Sequence, residues 1–179
     1  MSIEQLAKQS RDRLHGSLAT VDTALLRRMR DTTLRDCFRR LDETSHRMEP
    51  VATIHGKQYI DDTAARSVNA TLYSLQNTSG PIVWIALGGD DTADYHPLLP
   101  IALRKVSMLV CVGSRNGALH SWFDPILPTV VDADDIATAL ALARRHSGQK
   151  SRIVFSPATP QGGATALIAQ QFVQQVNEI

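Results

Sequence analysis

A chain of 179 residues with 43% hydrophobic and 21% charged residues is long enough for one sizeable core and too short for two ordinary domains. Its net charge of +1 offers no broad field for nucleic acid or an anionic membrane, so any partner must be recognised locally. The start, MSIEQLAKQSRDRL, has no signal-peptide apolar region, and no apolar run approaches a membrane span of about 20 residues, so the cytoplasm is the expected location.

In chain order, residues 3–15 and 22–42 carry helical periodicity, with Leu25, Leu26, Met29, Leu34, Phe38 and Leu41 at three- and four-residue steps. Six arginines on the second helix invite a nucleic-acid reading. Asp22, Asp31, Asp36 and Asp42 interleave with them, which fits a solvated, salt-bridged face instead. Residues 1–45 are therefore read as a helical extension and 46–179 as the main domain. Cys37 and Cys111 lack metal-site spacing and read as reduced, packed thiols.

From Pro50 the pattern alternates. VATIH and QYID flank Gly56-Lys57, a hairpin turn, and a helix is expected over 67–77. PIVWIAL is a nearly continuous apolar run, as in a strand buried on both faces, and Gly88-Gly89 end it before a helix over about 95–105. SMLVCVG repeats the plan and TVVD is a shorter strand. ADDIATALALARRH is an amphipathic helix, SRIVFS the last strand and GATALIAQQFVQQVNEI the last helix. LHSWFDPILP, with Trp122 and Phe123, reads as a loop lying like a lid on the core. The result is a Rossmann-like, doubly wound α/β domain with a mostly parallel sheet and a leading β-hairpin.

Ligands of such sheets lie at the carboxyl ends of the strands. The residues that fall there are Asp61–Thr63, Gly88–Thr92, Gly113–Arg115 and Ser156–Gly163. Paired glycines 88 and 89 would admit an anion to backbone N–H groups, although a strand-ending turn explains them as well. Asp61, Asp62, Asp90, Asp91 and Asp94 could gather round Mg²⁺, but capping and turn formation account for aspartate at such positions. No Walker sequence, Gly-x-Gly-x-x-Gly fingerprint or nucleophile elbow occurs, and the histidines show no metal-ligand spacing. His46 stands apart because Arg47 and Glu49 follow it at the entry to the sheet.

Taken together, SHRMEPVATIHGKQYIDDTAARSVNATLYSL, IALGGDDTADYHPL and IVFSPATPQGG resemble, in order and spacing, the C-terminal domain of the Mur ligases, most closely the D-glutamate-adding branch. The similarity runs over roughly residues 31–176. It implies that Arg47 occupies the place of an arginine near the nucleotide phosphates, and Asp62 that of an aspartate at the ribose. It places His46, Thr63, Arg66, Gly88, Gly89, Asp91, Thr92, Ser156 and Gln161 around the strand-end crevice.

Several positions depart from the family's pattern. Ala64 stands where the family has the lysine that meets the incoming amino acid's carboxylate, Arg66 replaces a threonine and Ser67 an asparagine. Thr92 replaces a basic residue, and the last loop loses its serine near Gln161. Each lost charge-assisted hydrogen bond removes about 1.5–3 kcal/mol. The resemblance therefore implies a stand-alone, degenerate domain without the ATP-binding central domain. It would serve as a non-catalytic binding or interaction module related to peptidoglycan-precursor ligases, with no catalytic residue and no metal ligand of its own.

The rival reading is the amino-acid- and nucleotide-binding subunit of a split ATP-dependent acid–amino-acid ligase, taking ATP or ADP with Mg²⁺. The expected partners are a second copy through the N-terminal helices, or a separately encoded ATP-binding subunit. A Mg²⁺-dependent phosphatase using the aspartates is the remaining alternative.

Overall fold

The computed structural model of the protein describes residues 46–88, 92–159 and 164–179. The helices expected over 3–15 and 22–42, with Cys37, lie outside the described residues, as do Gly89, Asp90, Asp91 and Gln161.

β1 (Glu49–Ile54) and β2 (Lys57–Asp61) form the expected hairpin. Its loop is His55-Gly56, one residue earlier than the expected Gly56-Lys57. Both loop residues are left-handed, with φ of 49° and 77°, as a two-residue turn matched to strand twist requires. Lys57 instead begins the ladder opposite Ile54. β1 is an edge strand, where the missing N–H of Pro50 is tolerated, and its register slips between Pro50 and Ala52.

The chain then runs through α1 (Val68–Asn77), β3 (Ile82–Leu87), a 3₁₀ turn at His96–Leu98, α2 (Leu99–Lys105) and β4 (Val106–Val112). It continues through α3 (Gly117–Phe123), β5 (Val130–Ala133), α4 (Ile136–His146), β6 (Arg152–Phe155) and α5 (Ala164–Asn177). The strands form one six-stranded sheet in the order β1-β2-β6-β3-β4-β5, antiparallel at the hairpin and parallel elsewhere.

β3 lies between β6 and β4 and is buried throughout. Its side chains alternate between two cores. Ile82, Trp84 and Ala86 pack with Leu75 of α1, Ile101 of α2 and Phe123 of α3, while Val83, Ile85 and Leu87 pack with Leu140 of α4 and Phe172 of α5. This explains why the sequence there is an unbroken apolar run: a strand covered on both faces has no polar side to show.

The stretch expected to be a loop over the core is in part the helix α3, whose Leu119 and Phe123, one turn apart, are both buried. Seven residues between Gly117 and Pro125 are too few for periodicity to announce a helix. It does cover the core: Phe123 meets Trp84 edge-on at 5.3 Å and Tyr95 at 5.9 Å between ring centroids.

Helix ends are closed by side chains. Ser67 accepts the Ala70 N–H at the start of α1, and Asp135 accepts the Thr138 N–H at the start of α4. At the far end of α1, the Lys105 ammonium donates to the carbonyls of Leu75 (3.1 Å), Gln76 (2.6 Å) and Thr78 (2.8 Å), which no helical N–H satisfies. Lys105→Met should lower stability by about 1–2 kcal/mol through loss of this cation at a helix C-terminus, read as a lower urea midpoint with an unchanged slope.

Candidate functional site

The site begins with a backbone contortion. His46 and Met48 both adopt left-handed φ, 63° and 51°, which non-glycine residues do only when surrounding contacts hold them there. The His46 N–H donates to Glu49 Oε2 at 3.1 Å, so His46 to Glu49 closes on itself as a tight turn. Its effect is to drive Arg47 inward.

The Arg47 side chain is 1% exposed and forms an ion pair with Asp62, which is 0% exposed. Its Nη1 also donates to Ser74 Oγ at 2.6 Å and its Nη2 to the Ala70 carbonyl at 3.0 Å, while the guanidinium lies 5.7 Å from the centroid of the Tyr73 ring. Asp62 Oδ1 accepts the Met48 N–H at 3.2 Å as well. Burial raises the Asp62 carboxyl above the usual range, and Arg47 pulls it back only in part. Arg47 Nε and Asp62 Oδ2 have no hydrogen-bond partner among the described residues. The two groups read as a nucleotide edge thus meet each other inside the domain.

Around this pair the end of β2 is closed. Asp61 binds His46 Nδ1 at 2.7 Å and accepts the Thr63 N–H at 2.9 Å, the local role expected of an aspartate in a turn. Ser156, buried after β6, shares a hydrogen bond with Thr71 at 2.7 Å, and its carbonyl accepts Trp84 Nε1–H at 2.8 Å. Of the residues predicted to line the crevice, His46, Thr63 and Ser156 are gathered here, with Thr63 and Ser156 buried. Arg66 and Thr92 are exposed, and Asp94 accepts the His96 N–H.

A close approach gives Gly88 a reason to be glycine beside the strand-ending turn and the anion cradle. A Cβ built on it would lie 2.0 Å from Asn116 Oδ1 and 2.5 Å from the Arg115 carbonyl oxygen. Glycine is needed so that the end of β3 can press against the segment after β4. Gly88→Ala should cost about 1–3 kcal/mol by overpacking, measured as a loss in thermal midpoint, and no loss would show that this contact gives way freely.

Beside Gly88, a cavity of ≈ 390 Å³ opens at the carboxyl ends of β3, β4 and β5, bordered by Gly113, Arg115, Asp134, Asp135 and Gln171. The Gly113–Arg115 stretch was placed at this edge by strand order alone; the participation of α5 through Gln171 was not legible. The sequence also missed the approach of Cys111, His120 and Asp132 to one another. Its only signal is that Cys111 and Asp132 sit at matching positions of neighbouring parallel strands.

No family profile matches the chain. A UDP-N-acetylmuramoylalanine–D-glutamate ligase of Christiangramia forsetii is 32% identical over 158 residues, which are 88% of this chain and 36% of that protein. The ligase of the same name from Chlorobium limicola is 30% identical over 149 residues, 83% of this chain and 32% of that one. A solved domain of a ligase described as acting on UDP-N-acetylmuramate, from Haemophilus ducreyi, superposes with a TM-score of 0.51 over 72% of this chain and 98% of its own, at 13% identity. The chain is related to the Mur ligases and has the fold of their C-terminal domain. The same fold occurs in a folylpolyglutamate synthase/dihydrofolate synthase of Yersinia pestis solved with AMPPNP and Mn ion, with a TM-score of 0.53 at 16% identity. The chain spans about a third of the length of the Mur ligases it matches. Among the described residues no helix is long and apolar enough to cross a membrane.

Proposed function

We propose that this Mur-ligase C-terminal-like domain does not catalyse ligation by itself and acts in the cytoplasm as a binding or interaction module connected with peptidoglycan-precursor ligases. The observation that carries the reading is the buried Arg47–Asp62 pair. A guanidinium bonded to Asp62, Ser74 and Ala70 and covered by Tyr73 has no surface left for a phosphate. To reach one it must leave its buried carboxylate partner unpaired, and a weakly held ligand does not repay that cost. The substituted positions agree with this: Ala64 and Thr92 carry no cation for an amino-acid carboxylate or a phosphate. The described residues offer no acyl-activating group, and phosphoryl transfer needs nucleotide, Mg²⁺ and acceptor aligned together.

The second reading is the split ATP-dependent acid–amino-acid ligase. The ≈ 390 Å³ cavity with Arg115 and Asp134 on its border favours it, being large enough for a small zwitterion. Its partner would be a separate ATP-binding subunit, whereas the first reading allows a second copy paired through residues 3–42.

Calorimetric titration of the purified chain with ADP and ATP, with and without Mg²⁺, separates the two. No saturable heat at millimolar nucleotide is the expected result. Saturable binding would mean that Arg47 leaves Asp62 for a phosphate and would favour the second reading, and amide formation from a UDP-muramoyl acceptor by the chain alone would overturn the first.

A further inference from the structure

On the face of the sheet covered by α1 to α3, away from the Arg47–Asp62 pair, three groups of different chemistry converge. Cys111 lies on β4 and is fully buried. Asp132 lies opposite it on β5, in register. His120, on α3, reaches over from above, and one ligand atom from each of the three falls within 4.8 Å of the others.

The surroundings hold these groups in place. His120 Nε2 lies 3.0 Å from Asp132 Oδ1, and its Nδ1 lies 2.9 Å from Asp124 Oδ1. Asn116 Nδ2 donates to Asp132 Oδ1 at 2.7 Å and to the carbonyls of Gly113 (2.8 Å) and Cys111 (3.2 Å), tying the carboxylate to the end of β4. The imidazole is thus gripped by carboxylates on both nitrogens. The bonds to Asp132 and then Asp124 hold its pKa above the ordinary value against partial burial. Burial first, and then Asp132 and Asp124, push the Cys111 thiol up to about 12.

We propose that Cys111, His120 and Asp132 form a binding site for a transition-metal dication of the zinc class. Thiolate, imidazole and carboxylate are the donors such an ion takes. With metal–ligand bonds of about 2.0–2.3 Å, tetrahedral donors stand about 3.3–3.8 Å apart, so donors within 4.8 Å of one another need close by about 1–1.5 Å at most. A thiolate donor disfavours Mg²⁺ and Mn²⁺. On binding, the Cys111 S–H bond breaks, its proton passes to solvent and the sulfur lone pair forms the metal bond. The imidazole gives up its Nε2 proton to solvent and coordinates through that nitrogen, while Nδ1–H continues to donate to Asp124. No electron is transferred. Asp124 is then a positioning residue of the kind that orients metal-bound histidines. His120 and Asp132 reach solvent, so a fourth donor would be water or a ligand.

The test is titration of the reduced, tag-free full chain with Co²⁺ under anaerobic conditions, read by the thiolate-to-cobalt charge-transfer band and the visible bands of tetrahedral Co²⁺. One equivalent should develop both, Zn²⁺ should bleach them and millimolar Mg²⁺ should not. Cys111→Ser should abolish the charge-transfer band. Because that position is in the core, His120→Ala, at a partly exposed position, serves as the second variant and should weaken binding at least tenfold. Asp124→Asn should weaken it by about tenfold, with the band retained. Cys37→Ser should change nothing. Absence of a charge-transfer band, a band unaffected by His120→Ala, or one lost in Cys37→Ser would overturn the proposal. None of these outcomes depends on whether nucleotide binds.

Discussion

Asp62→Asn is expected to lower the free energy of unfolding by about 3–5 kcal/mol, the cost of leaving one partner of a buried ion pair behind. The amide keeps an acceptor for the Met48 N–H and for Arg47, so the change is one of charge rather than shape. The reciprocal variant, Arg47→Met, should cost a similar amount at neutral pH but should behave differently in acid. A guanidinium cannot shed its proton inside a protein, whereas a carboxylate can take one up. With Arg47 removed, the largest influence opposing burial disappears, leaving only hydrogen bonds from Ser74 and Ser156 against it, and the Asp62 pKa rises still further above the unfolded value. A carboxyl raised on folding contributes stability that is fully present below its unfolded pKa and is lost as pH rises through its folded pKa. The penalty of Arg47→Met should therefore shrink as the pH falls, while that of Asp62→Asn should not. Urea unfolding of both variants across the acid range measures this. Two penalties under 1 kcal/mol would mean that water reaches the pair and that Arg47 is available to a ligand after all. The double variant should lose less than the sum of the singles, because the two share one interaction.

How far this arrangement was legible follows from the physics of each signal. The sheet was legible because β3 and β4 must be apolar on both faces and because a glycine ends each of them. The hairpin was legible to within one residue, the error arising because a glycine names a left-handed position without saying which neighbour shares it. Arg47 and Asp62 were singled out as a pair of positions, yet nothing in their spacing along the chain says that they face each other. That depends on His46 and Met48 taking left-handed backbone conformations that no propensity favours. The Cys111–Asp132 juxtaposition depends on strand order and register, and His120 joins them through α3, the one described helix whose existence the sequence hid. A three-residue cluster drawn from a strand, a helix and another strand leaves no regular interval to find.

Phe123→Ala is the core substitution expected to do most damage, at about 3–5 kcal/mol. The ring is fully buried where α3 meets the sheet, edge-on to Trp84 and near Tyr95, so its removal opens a cavity bounded by two large aromatic rings. Neither ring can collapse freely into that space. Trp84 is tethered through Nε1–H to the Ser156 carbonyl at 2.8 Å, and moving it would abandon a buried hydrogen bond. The loss should thus fall near the upper end, where a site cannot relax. Phe123→Leu, which keeps much of the volume, should cost less than half as much. The substitution also separates two roles of α3, since His120 and Phe123 lie on one short helix. If the helix is held to the sheet chiefly by Phe123, its loss should loosen His120 as well and weaken Co²⁺ binding without touching a ligand. Thermal unfolding and the cobalt band of the same variant should then fall together. A stable Phe123→Ala protein with unchanged stability would mean that α3 is secured by other contacts.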